Sequence, residues 1–273
     1  MYSELMKKLL PLLFILSAFI GNAQRTMFSG NNNFVSPVGP PSLVTAGLVL
    51  DLDAGNVASY AGTGTTWTDL SGKGNNGTLV NSVSYNSSNQ GTLVFNGYEN
   101  GQGPNPYVLL PTNTDFNFGT DDFTIDMWIY ITTVNDHPNF LSINVDESTS
   151  YSALRLGYYL GNLGINHSYD NATWAAQKGT PIDINVWKNI IVSRISGQVT
   201  VYIDGTSRLT YSLPGSLMVS NRNVIGTIYP VFGNPGFFNL SGKIATTKIY
   251  KAKGLTSTEA STQFGLLKSR FGL

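Results

Sequence analysis

The sequence predicts an all-β fold, a two-sheet antiparallel β-sandwich closed by one short C-terminal helix. Three observations carry this. Strand patterns recur at short intervals with Gly, Asn, Asp or Pro between them, which suits stacked antiparallel sheets. Residues 183–205 read as two strands with two tight turns, Ser196-Gly197 and Asp204-Gly205, each able to supply the positive φ of a hairpin. A single helical signal stands near the end, where Thr256 can cap and Glu259 can reach back. The composition agrees: Gly 29, Tyr 14, Phe 14 and only 12% charged residues in 273.

Charge and cysteine content exclude several functions. Lys+Arg 16 balances Asp+Glu 16, so there is no basic field to hold nucleic acid or an anionic membrane surface. Cys 0 rules out disulfides, thiolate metal sites, a cysteine nucleophile and a lipoprotein anchor.

Residues 1–23 read as a signal peptide. Lys7-Lys8 precede an apolar run over residues 9–20, and Gly21-Asn22-Ala23 supplies a small-residue cleavage site. The run is too short for the roughly 20 residues of a membrane span. The Ala-Gln junction resembles that of bacterial exported proteins. Cleavage after Ala23 makes the protein secreted or cell-surface. It leaves 14 basic and 15 acidic groups, once Lys7, Lys8 and Glu4 are gone. Residues 24–45 hold three consecutive Asn, Pro37, Pro40 and Pro41 without a period, and read as a flexible linker.

The globular domain then spans residues 46–273. Residues 47–53 alternate as a strand, with Leu48, Leu50 and Leu52 on one face. A loop rich in Gly and Asn follows Trp67 and Asp69, and residues 92–97 make a further strand and turn. Residues 123–130 and 187–194 are β-branched and aromatic. Residues 198–203 place Val199, Val201 and Ile203 on one face. At the end, Phe264, Leu267 and Phe271 form the apolar stripe of a helix expected to dock on one edge of the sandwich.

These segments also carry a resemblance. Leu-Asp-Leu-Asp-Ala-Gly-Asn from Leu50, Trp-Thr-Asp-Leu-Ser-Gly from Trp67, and Leu-Val-Phe-Asn-Gly ending at Gly97 resemble the opening of a laminin-G-like domain. Tyr107-Val108 and Phe-Thr-Ile-Asp-Met-Trp from Phe123 resemble its next strands, Trp187 with Val-Tyr-Ile-Asp-Gly ending at Gly205 its centre, and Ser-Gly-Lys-Ile from Ser241 its last core strand, in the family's order. The chain is thereby similar to laminin-G-like jelly-roll domains of the concanavalin A-like lectin/glucanase superfamily. That superfamily hosts lectins, structural modules and glucanases, so the fold alone does not choose a function.

The resemblance implies calcium as a cofactor in many relatives. Asp51, Asp53 and Asp69 are the candidate ligands here, since calcium takes several oxygens. Ala245-Thr246-Thr247 stands where calcium-binding relatives often carry acidic residues. Glucanase chemistry needs two placed carboxylates. Asp51 and Asp53 share a strand face, whereas Asp126 has no partner two or four positions away. His137 and His167 read as plain loop residues, far from any nucleophile motif.

Two stretches suit a glycan, which offers flat C–H faces and hydroxyls. Residues 158–174 contain Tyr169, Asp170 and Trp174. Residues 228–239 contain Tyr229, Phe232, Asn234 and Phe237, broken by Gly and Pro. The sequence therefore predicts a secreted, non-enzymatic binding module acting on an extracellular glycan or surface protein, in recognition or adhesion. A structural subunit of a homo-oligomer or extracellular filament is the alternative, and a glycoside hydrolase the weaker one.

Overall fold

The structure, a computed structural model, describes residues 42–97, 105–133, 137–149, 151–228 and 238–273. The predicted signal peptide and all but the last residues of the predicted linker lie outside them. In chain order the first strands are β1 (Leu48–Asp53), β2 (Thr66–Trp67), β3 (Gly77–Val80), β4 (Ser84–Asn86), β5 (Thr92–Asn96), β6 (Tyr107–Leu110), β7 (Phe123–Thr133) and β8 (Asn139–Val145). There follow β9 (Ser152–Tyr159), β10 (Asn162–His167), β11 (Ala175–Pro181), β12 (Trp187–Ile195), β13 (Gln198–Ile203), β14 (Thr206–Ser212), β15 (Arg222–Ile225) and β16 (Ser241–Lys251). The helix α1 spans Ser257–Leu267.

The strands form two eight-stranded antiparallel sheets. Sheet A runs β14-β13-β12-β7-β16-β5-β4, with β1 also on β16, and sheet B runs β11-β10-β9-β8-β15-β6-β3-β2. The long strand β16 pairs with β7 along one side. On its other side it takes β5 at its start and β1 at its end. Between the sheets lies the main core. Leu50, Leu52, Phe95, Ile125, Met127 and Val192 of sheet A face Val108, Phe140, Leu154, Leu163 and Ile165 of sheet B.

The two predicted turns form as expected. Ser196 and Gly197 have φ of 49° and 75°, and Asp204 and Gly205 have φ of 52° and 72°, positive at both central positions of each hairpin. A third turn of the same kind was not foreseen. Leu160 and Gly161, at φ 45° and 87°, fold β9 onto β10. Much of the stretch read as a loop over residues 158–174 is therefore hairpin, leaving a loop from Ser168 to Trp174. The apolar signal of β10 is diluted by Asn162, Gly164, Asn166 and His167, which hid its period.

The helix forms with the predicted capping box between Thr256 and Glu259. It docks on the outer face of sheet A, not on an edge. Trp128 and Trp187 project outward there, and Trp128 stacks against Phe264 at 5.7 Å and Phe271 at 4.2 Å. Leu43 and Val44, read from sequence as the end of the linker, pack beside Leu48, Tyr250 and Leu255.

Arg270 ties this C-terminal segment down. Its Nη1 donates to Asp53 Oδ1 at 2.8 Å, Nε to the Asn89 carbonyl at 2.6 Å and Nη2 to the Gly91 carbonyl at 2.7 Å. Breaking a largely buried pair leaves the surviving charge without a partner. We expect Arg270→Ala to lower unfolding free energy by about 3 kcal/mol in urea denaturation; an unchanged midpoint would show the clamp to be dispensable.

Candidate functional site: a glycine-floored furrow on sheet B

Register builds the site. On the outer face of sheet B, Gly157 of β9 pairs with Gly164 of β10, which pairs with Gly179 of β11. Three neighbouring positions thus lack side chains, leaving a furrow that runs across the strands. None of the three has a positive φ, so glycine serves here for room and not for backbone freedom.

Amide side chains lie over this floor. A Cβ on Gly164 would sit 3.0 Å from Gln177 Nε2, one on Gly157 3.0 Å from Asn139 Oδ1, and one on Gly179 3.3 Å from the Asn162 Cβ. Asn166 stands opposite Arg155 across β9 and β10. The furrow is open, enclosing only about 10 Å³.

A line of rings flanks it. Tyr159 stacks on His137 at 4.3 Å, and His137 lies 6.1 Å from Phe238. The Arg155 guanidinium sits 5.2 Å from the ring centres of both Phe238 and Trp174. Trp174 meets Tyr151 at 5.2 Å. Burial among these rings draws the Arg155 pKa down to about 10.

Of the residues singled out from sequence, Trp174 joins this furrow, through Arg155. Tyr169 does not: its ring packs over Gly215, 2.6 Å from where a Cβ would stand, and edge-on against His167 at 5.3 Å. Asp170 turns back on its own loop. Its carboxylate accepts from the amides of Ala172 and Thr173, both at 3.0 Å, which holds its pKa below the ordinary carboxylate value. Tyr229, Phe232, Asn234 and Phe237 lie outside the described residues. His137, read as a plain loop residue, is part of the ring line. Arg155, Asn139, Asn166, Tyr159 and Gln177 were missed. Their signal was available in Gly157, Gly164 and Gly179, spaced along one face of three consecutive strands.

The three aspartates proposed for calcium are placed apart in function. Asp69 receives the amides of Asp51 at 2.8 Å, Ser71 at 2.9 Å and Asn75 at 2.9 Å, and the Ser71 hydroxyl at 2.7 Å. It organises the loop after it. Asp53 pairs with Arg270, and Asp51 with Lys248 Nζ at 3.3 Å. These oxygens are engaged by donors and cations, and among the described residues no three acidic or His side chains converge as a metal site. The set does not fit calcium. The same pairings leave Asp51 and Asp53 no free carboxylate dyad for glycoside hydrolysis.

Asp51 and Asp53 instead line a cleft of about 180 Å³ beneath α1, with Asp126, Lys248, Gln263 and Leu267. The row Asp51–Lys248–Asp126 crosses three paired strands. Asp126 is 4% exposed and accepts from Asn189 Nδ2 at 2.7 Å. Burial raises its pKa above 3.8, against the lowering effects of Lys248 and Asn189.

Comparison with known proteins supplies the lineage of this geometry. Residues 100–261 match a laminin-G family model described as the concanavalin A-like lectin/glucanases superfamily. Among solved structures, the binding domain of Paraclostridial mosquitocidal protein 1 superposes with a TM-score of 0.60 at 19% identity, over 80% of this chain and 52% of that one. The botulinum neurotoxin serotype G binding domain gives 0.63 at 16%, over 81% and 51%. The binding domain of botulinum neurotoxin DC, in complex with SialylT, gives 0.61 at 16%, over 82% and 52%. The chain thus spans about half the length of these proteins, and the likeness is one of fold. No curated protein sequence matches.

The buried carboxylate of Asp126 has a pH signature. A folded-state pKa above the unfolded value means the folded protein holds the proton longer, so its penalty develops as pH rises from about 4 through the raised value. Wild type should lose stability over that window relative to Asp126→Asn, whose amide still accepts from Asn189. Urea midpoints measured from pH 4 to pH 8 should diverge with the variant ahead; parallel curves would show that Asp126 ionises at no cost.

Proposed function

The chain belongs to the concanavalin A-like lectin/glucanase superfamily, and from that membership we propose that it is a secreted, non-enzymatic module that binds glycans across the outer face of sheet B. The observation that carries the reading is the glycine furrow with amides over its floor and rings along its side. A pyranose presents two kinds of surface, and this site has a counterpart for each. Gln177 and Asn166 line the furrow with amides suited to hydroxyl groups, while Asn139 and Asn162 commit their Nδ2 groups to the carbonyls of His137, Phe238 and Leu160. Tyr159, His137 and Trp174 offer apolar faces suited to C–H groups. An open furrow admits a chain segment from either end.

Supporting the binding reading over hydrolysis, Asp51 and Asp53 are each held by a cation on the opposite sheet's outer face. The neurotoxin DC domain with the same fold has been solved with SialylT and with rat synaptotagmin II. A glycan and a surface protein are therefore both partner classes consistent with this scaffold, and the amide-lined furrow favours the glycan. Export rests on the charged, apolar and small-residue segments of residues 1–23.

Gly164→Val tests this directly. The added side chain fills the furrow and displaces the Gln177 amide, a flexible neighbour, at a position without positive φ. Retention on a glycan array should be lost while the thermal unfolding midpoint stays within a few degrees. Retention by the wild type should also persist in a calcium chelator. Undiminished retention by the variant would remove the furrow from the site, and loss in chelator would restore a metal to it.

A further inference from the structure

We infer that the furrow selects acidic saccharides, with Arg155 as the receptor for a sugar carboxylate. This rests on the furrow being the glycan site and adds the chemical class of its ligand.

The other described arginines that are not exposed are already spent within the fold. Arg194, 0% exposed, gives its guanidinium to the carbonyls of Gly119, Asp121 and Gly215. Arg270 is divided between Asp53 and two carbonyls. Arg222 pairs with Glu147. Arg155 is half-buried as well, yet among the described residues it meets no carboxylate and no backbone carbonyl. Its polar contact is with Asn166, whose Oδ1 accepts from Nη2 at 3.2 Å when that amide is turned to satisfy both of its ends. Burial alone moves its pKa, with no neighbouring acid to offset it.

A buried cation without a counter-ion is costly. Here it is held in place by other means. Trp174 and Phe238 each lie 5.2 Å from the guanidinium carbon, a cation–π arrangement that fixes the group. Such clamping removes much of the side-chain entropy that an arginine loses when it forms a new contact. Arg155 also lines the furrow beside Asn139, Asn166 and Gln177. A cation that is desolvated, immobilised and unpaired within a site for hydroxyls is complementary to a hydroxylated ligand bearing an anion. The planar fork matches a carboxylate in two parallel hydrogen bonds. Asn139 adds a second unmet group at the same place. It is 1% exposed, and its Oδ1 has no donor. The ligand thus presents an anionic group to Arg155.

The test uses the full chain and a matched pair of probes, an oligoglucuronate and the oligoglucoside made by reducing its carboxyl groups. Titration calorimetry should show the acidic oligomer binding roughly ten- to a hundredfold more tightly, as expected of hydrogen bonds to a charged group. Arg155→Gln should erase that ratio, whatever it does to the absolute affinities, and Arg155→Lys should restore only part of it. Should Arg155→Gln fail to fold, the ratio measured on the wild type still decides. Equal binding of the two probes by the wild type overturns the inference and leaves the furrow as a neutral glycan site. Binding of neither probe, nor of any arrayed glycan, overturns both. A preference for sulfated over carboxylated oligomers would replace the carboxylate as the anion recognised.

Discussion

Trp128 decides which face of the sandwich is open. It projects outward from the middle of sheet A and is gripped by Phe264 and Phe271, with Trp187 beside it. Such rings bury large apolar areas and favour stacked geometry. The contact carries α1 across sheet A and roofs the Asp51–Lys248–Asp126 row. No described helix is laid over the outer face of sheet B, where the furrow lies. A jelly roll has two outer faces, and the disposition of one helix makes them unlike.

The roofed face and the open face use charge differently. Under α1, Lys248 lies between two carboxylates and Asp126 keeps a raised pKa in a buried setting. That arrangement holds elements together, as Arg270 does for the C-terminus. On sheet B, Arg222 pairs with Glu147, while the guanidinium of Arg155 is clamped by rings and, among the described residues, left without an acid. Residues of the same type thus serve as structural ties at Arg222, Lys248 and Arg270 and as the proposed receptor at Arg155. The difference lies only in whether the chain supplies the counter-charge.

Much of the fold could be read from the sequence, because it depends on local rules. Strict alternation in β13, paired positive-φ turns at Ser196-Gly197 and Asp204-Gly205, and the Thr256–Glu259 capping box each act within a few residues. The helix position could not be read so, since it depends on Trp128 and Trp187 meeting residues far along the chain. The furrow was hidden for the same reason. Gly157, Gly164 and Gly179 look like loop punctuation one at a time, and only cross-strand register makes them a floor. Trp174, a large aromatic in a polar loop, stands out locally, whereas the surroundings of Arg155 are seen only in three dimensions. That Tyr169 packs over Gly215 and that Asp170 accepts from its own loop could not be read from composition.

Because the furrow crosses the strands, its wall and the protein's core are written in one register. Leu163 and Ile165 face inward while Gly164 and Asn166 face outward on the same short strand. A slip of β10 by one residue would exchange the two sets, presenting leucine and isoleucine to solvent and burying an amide. The packing of the core therefore proofreads the proposed recognition surface. Any drift in that surface that kept its side chains but shifted their alignment would be removed as a failure of folding before it could be felt as a change in what is bound.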